Sequence, residues 1–160
     1  MKSRRAARRL ALDVLYEAEI RDVLPQEAFE MRRSDGWVVP APDDQAPSDE
    51  TDAVPSPAEE SPTDNSLAYA LELVEGVQAH QADTDELIAR YADRWAIQRM
   101  PVIDRTLVRM AVYELIWRDD IPVAVAINEA VELAKELSTD DSGRFVNGLL
   151  GRIVEAQAEI

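Results

Sequence analysis

The sequence predicts an all-α protein, a bundle of seven helices, on three observations. Outside one middle segment, apolar residues recur at helical spacing. Sustained strand-type alternation is absent, and no repeat of fixed period suggests a solenoid. Of the 160 residues, 46% are hydrophobic, enough for one domain with a real core.

Each helix can be justified in turn. The first spans about 4–21, with Ala7, Leu10, Ala11, Val14, Leu15 and Ala18 on one side. A short second helix follows Pro25, a residue tolerated in a first turn because its missing N–H would be unpaired there. Asp64 or Asn65 can cap a third helix carrying Leu67, Leu71, Val74 and Val77. Asp83 or Thr84 can open a fourth through Leu87, Ile88, Tyr91 and Trp95. Pro101 suits the start of a fifth, PVIDRTLVRMAVYELIWR, in which Ile103, Leu107, Met110, Ala111 and Leu115 form an apolar stripe stopped by Asp119, Asp120 and Pro122. The sixth, AVAINEAVELAKEL, turns Ile127, Ala130, Val131, Ala134 and Leu137 inward. Asp141 or Ser142 can cap the seventh, which carries Phe145, Val146, Leu149, Leu150 and Ile153.

Charge divides the chain. The formal net charge is -15, yet residues 1–33 hold 8 basic and 6 acidic residues. Residues 34–65 hold 9 acidic and no basic residues and six of the nine prolines, without an apolar pattern. That composition reads as a disordered, self-repelling loop, either a tether or an acidic competitor for the arginines. Residues 66–160 hold 9 basic and 17 acidic residues.

Composition also excludes function classes. With no cysteine there is no thiolate nucleophile and no cysteine metal cluster, which fits a reducing compartment, with the cytoplasm as default. No apolar run approaches the roughly 20 residues of a membrane span, and neither a signal peptide nor a transit peptide is read at the N-terminus. His80 is the only histidine, and its place at the end of the third helix suits contact with the last carbonyls. Glu72, Glu75, Glu129, Glu132 and Glu136 fall at spacings that suit a solvated face, and no Glu-x-x-His pair builds a di-iron site. Phosphate-binding glycine loops are missing. An enzyme, a metal or a cofactor is therefore not expected.

The N-terminal helix carries the sharper signal. At about 100° per residue, Arg4, Arg5, Arg8 and Arg9 spread over roughly a 140° arc opposite Ala7, Leu10, Val14 and Ala18, so the arginines can stay solvated while the helix packs. The row Arg5, Arg9, Leu12, Tyr16 then places an aromatic ring beyond the basic cluster on its own stripe, a pattern that an ordinary half-buried tyrosine fits equally. Arginines beside an exposed ring suit single-stranded nucleic acid, which offers phosphates and bases to stack. A solubility tail, an acidic membrane surface or the acidic face of a protein partner would also accept this charge.

The string AINEAVELAKELSTDDSGRFVNGLLG at 126–151 closely resembles the signature of the NusB transcription antitermination family. RRAARRLALDVLY at 4–16 and PVIDRTLVRMAVYEL at 101–115 agree with that family in sequence and order. The resemblance covers roughly 1–33 and 66–156; the acidic loop departs from it. It implies two helical subdomains, 1–33 with 66–95 and then 96–160, around the loop at 34–65, and no catalysis. It further implies binding of boxA RNA of ribosomal RNA operon transcripts with NusE, a small-subunit ribosomal protein, as monomer or homodimer. Other Nus factors and RNA polymerase would complete the assembly. On the matching positions, Arg4, Arg5, Arg8 and Tyr16 would contact RNA, with Lys2 and Arg9 as local additions and Phe145 nearby. Asp104 would lie where NusE is met, and Asp141 would modulate assembly. Two other readings stay beside this one: a helical protein–protein adaptor without specific RNA binding, and a NusB-like domain of an RNA cytosine methyltransferase, for which no catalytic region is seen. Gly148 inside a helix costs about 1 kcal/mol relative to alanine, and close approach by another helix is the expected reason.

Overall fold

A computed structural model describes residues 2–35, 64–92 and 97–158; the acidic segment from 36 to 63, with Trp37, lies outside them, as does Trp95. Among the described residues there are seven α-helices and no strand. They are α1 (Lys2–Arg21), α2 (Pro25–Asp35), α3 (Asp64–Ala79), α4 (Gln81–Tyr91), α5 (Val102–Trp117), α6 (Val123–Leu137) and α7 (Asp140–Ala158), with one 3-10 turn at Ile97–Arg99 before α5.

Burial of the expected stripes explains the packing. All six apolar residues assigned to the inner side of α1 are buried, and α1 lies along α3, α2 and α5. It ends at Asp22, which adopts φ 57°, a left-handed conformation that Asp tolerates better than most residues. The Val23 N–H donates back to the Ala18 carbonyl at 3.0 Å. Pro25 then starts α2, which buries Ala28 and Phe29. On α5, Leu107, Val108, Met110, Ala111 and Val112 are buried together because this helix packs on α1, α3, α4, α6 and α7. Helices α6 and α7 pack on each other and on α5.

Three local expectations are corrected. Helix α4 begins at Gln81 rather than at Asp83 or Thr84; Thr84 is buried, and its hydroxyl donates to the Gln81 carbonyl at 3.0 Å within the first turn. Helix α7 is opened by Thr139, whose hydroxyl oxygen accepts from the Ser142 N–H at 2.9 Å, the usual N-cap bond. Gly148 meets no neighbouring helix, since a Cβ there would find only Arg152 Nη1, at 3.8 Å. The close approach occurs instead at Gly76 on α3, where an added Cβ would overlap the Tyr113 ring. His80 stacks on Trp117 with centroids 4.1 Å apart, so it serves aromatic packing between the end of α3 and the end of α5.

Candidate nucleic-acid interface

The first turns of α1 bring the basic residues to the junction with α5 and α6. Each of the four arginines meets a carboxylate there. Arg4 pairs with Asp120 at 3.1 Å, in the turn after α5. Arg5 grips Glu129 of α6 through Nε at 3.0 Å and Nη2 at 2.9 Å. Arg9 reaches Glu136, two turns further along α6, at 2.6 Å. Arg8 turns inward and holds Glu114 of α5 through Nε and Nη2 at 2.9–3.1 Å. The expectation that all four stay solvated is therefore corrected at Arg8, which is only 4% exposed. Glu129 and Glu136 likewise are not merely a solvated face: both hold arginines.

Below this surface lies a buried ionic knot. The Tyr69 hydroxyl of α3 donates to Glu114, and the Tyr69 ring faces the guanidiniums of Arg4, Arg8 and Arg118, with Arg4 and Arg118 4.8 and 5.1 Å from its centroid. Arg118 in turn pairs with Glu72 at 2.7 Å and with Asp120 at 3.0 Å. Burial pushes the Tyr69 phenol up, and its bond to Glu114 pushes it further. Burial pulls the Arg8 guanidinium down, but the hydrogen bonds and charge of Glu114 outweigh it and leave Arg8 raised. Asp120 falls below the ordinary carboxylate range because Arg118 donates to it. Removing one member of such a buried pair typically costs about 3–5 kcal/mol, because the other charge is left uncompensated. The knot thus fixes the position and rotation of α1, and with them the outward residues.

Those outward residues are few. Arg5 keeps 65% of its side chain exposed despite its pair with Glu129. Tyr16, three turns along, is 40% exposed. Leu12, which stands between them on the same row, is buried, so the row is not one continuous exposed stripe. Lys2 lies in the first turn of α1. Phe145 on α7 is half-buried and packs against the core. Asp104 is fully buried: its Oδ2 accepts from the Ser142 hydroxyl at 2.7 Å, tying α5 to the start of α7. Asp104 is thus corrected from a surface contact to an internal tie, and the residue beside Ser142, Asp141, is exposed and paired with Arg144 at 3.0 Å. Among the described residues no cluster of three or more metal-ligating side chains forms, and no helix is long and apolar enough to cross a membrane.

Comparison with known proteins decides the lineage. The model of the NusB family matches residues 5–155. The chain belongs to the NusB family. Its curated relatives carry the name transcription antitermination protein NusB. The chain is 48% identical to the transcription antitermination protein NusB of Salinispora arenicola over 97% of both chains, and 47% identical to that of Beutenbergia cavernae over 96% of this chain and 90% of the relative. T. maritima NusB superposes with a TM-score of 0.73 at 31% identity, covering 95% of this chain and 90% of that one. A structure of the antitermination factors NusB and NusE in complex with dsRNA shares the fold with a TM-score of 0.75 at 24% identity, over 98% of both chains.

Within this NusB-family fold, sequence reasoning found the arginines but missed what they hold. Glu114 was the available signal, a lone carboxylate inside the apolar run MAVYELIW. A charge in such a run is usually buried with a partner. Tyr69 and Arg118 carried no comparable mark.

Proposed function

We propose that this chain binds boxA RNA of ribosomal RNA operon transcripts together with NusE. In the cytoplasm it would join RNA polymerase and other Nus factors in an antitermination complex. The observation that supports this reading is the exposure of Arg5 and Tyr16 on one face of α1, held in place by the buried Arg8–Glu114 pair. An exposed guanidinium takes a phosphate and an exposed ring takes a base, which together suit single-stranded RNA. Arg4, Arg9 and Lys2 add charge beside them, Phe145 of α7 is a second ring that the family resemblance assigns to the RNA, and Arg8 contributes as a positioning residue. Asp141 and the α7 start that Asp104 braces form the proposed side for NusE. The relatives' name and the NusB–NusE–dsRNA complex motivate the choice of partners.

The pairing of Arg4, Arg5 and Arg9 with carboxylates favours a second reading, in which these residues only weld the bundle and the chain is a protein adaptor. Shift assays with boxA and scrambled RNA, with and without NusE, separate the two. For RNA binding, Tyr16→Ala should lower boxA affinity by about 1–3 kcal/mol, the usual value of one stacked base, and Arg5→Ala should also weaken it while circular dichroism stays unchanged. Affinity unaltered by both substitutions, or equal for boxA and scrambled RNA, rejects the reading.

A further inference from the structure

The RNA face just proposed is already occupied by the chain's own carboxylates. The two donors of Arg5 that form a fork, Nε and Nη2, are both taken by Glu129, and Nη1 of Arg9 is taken by Glu136, two turns along α6. Glu129 and Glu136 stand seven residues apart, two turns, on the same face of α6. Arg5 and Arg9 stand four apart on α1, so two neighbouring helices meet through matched rows of opposite charge. A bidentate fork is also the geometry with which arginine takes a phosphate. The two carboxylates differ in what they leave behind when displaced: Glu136 keeps 53% of its side chain in solvent, whereas Glu129 keeps 14%. Losing Arg5 would strand a mostly covered charge.

We infer that Glu129 and Glu136 act as specificity-determining competitors, standing in for RNA phosphates on Arg5 and Arg9 so that phosphate contact alone gains little. An RNA must add stacking on Tyr16 or base contacts before exchanging the partners of these arginines becomes favourable. A strand whose bases reach neither Tyr16 nor a base-specific contact offers phosphates only and is rejected; because stacking on one ring is sequence-tolerant, discrimination between sequences falls to the base contacts. The inference rests on the RNA-face reading and deepens it: it assigns discrimination to residues that never touch RNA. It also changes the salt response. Salt weakens the internal pair as well as the RNA contact, the two effects partly cancel, and affinity falls with salt less steeply than the number of arginines implies.

The test uses the full chain with Glu129→Gln, Glu136→Gln and Glu132→Gln, titrated against a boxA oligoribonucleotide and a scrambled strand of equal length at several salt concentrations. Glu132 is the charge control, because among the described residues it pairs with Lys135 on its own helix, at 3.9 Å, and with no arginine of α1. Glu129→Gln and Glu136→Gln should each tighten scrambled RNA by about two- to fivefold, the worth of one exposed ion pair. They should tighten boxA RNA less, and steepen the slope of log affinity against log salt by up to about 0.7. Glu132→Gln should do markedly less. In an Arg5→Ala background, Glu129→Gln should lose its effect. Weaker binding by Glu129→Gln, an unchanged salt slope, or an equal gain from Glu132→Gln overturns the competitor role while leaving the RNA face standing. If Arg5→Ala and Tyr16→Ala leave boxA affinity unchanged, the face itself fails and the competitor role falls with it.

Discussion

Tyr69 shows how much a single side chain can join: its ring faces three guanidiniums, and its hydroxyl is bound to the buried Glu114. Its phenol is raised above the ordinary value of 10.0 by burial and by Glu114. Below about pH 10 the phenol is protonated in both folded and unfolded chains. Above it the unfolded chain releases the proton and the folded chain retains it, so stability falls as pH rises. Chemical denaturation of the wild type against Tyr69→Phe from pH 8 to 11 should show this: the variant begins less stable by about 1.5–3 kcal/mol, the value of a hydrogen bond to a charged group, and the difference shrinks above pH 10. A constant difference across that range would contradict the assignment. At this scale the sequence was partly legible. The exposure of Arg5 and Tyr16 was legible because both sit on the side of α1 opposite its apolar stripe. Arg8 was misplaced because periodicity puts it inside the basic arc, between Arg4 and Arg5, and only the position of Glu114 on a distant helix decides that it turns inward.

Among the helices, the two glycines Gly76 and Gly148 behave oppositely for reasons that propensity alone does not contain. Both lie inside helices, where alanine is worth about 1 kcal/mol more than glycine. At Gly76 the Tyr113 ring occupies the space of a Cβ, so Gly76→Ala should destabilise by about 1–3 kcal/mol through overpacking. At Gly148 a Cβ would meet only the Arg152 side chain, at an ordinary contact distance of 3.8 Å, so Gly148→Ala should stabilise the isolated chain by about 1 kcal/mol. Urea midpoints with unchanged m-values would report both; a loss at Gly148 would mean that the glycine is needed by the fold itself. The helices were legible in the sequence because proline, acidic stops and apolar stripes mark them. Their first residues were less so: Asp141, Ser142 and Thr139 all offer capping oxygens at the start of α7, and the backbone trajectory chooses Thr139.

For the molecule as a whole, α5 is the shared element. It packs on α1, α3 and α4 as well as on α6 and α7, and charged ties reinforce it. Arg109 of α5 grips Asp85 of α4 at 2.8 and 2.9 Å, Arg105 donates to Glu19 at the far end of α1, and Arg8 holds Glu114. Helices that share one buried partner lose it together. Tryptophan fluorescence and far-ultraviolet circular dichroism should therefore trace one coincident urea transition. Two separated transitions would instead establish the proposed subdomains, 1–33 with 66–95 and 96–160, as independent units. The all-α class was legible from spacing, but the interlock through α5 was not, because its ties run between residues far apart in sequence.

The arginine–carboxylate rows between α1 and α6 also bear on inheritance. Positions 5 and 129, and 9 and 136, form pairs whose members must change together, since a lone change at Arg5 strands the mostly covered Glu129 and a lone change at Arg9 frees Glu136. Positions 8 and 114 lack even that paired freedom, because both are buried and a change at either strands a charge beside Tyr69. Descent with modification should therefore leave two kinds of trace in one short helix: coupled drift at its outer arginines, and stasis at the inner one.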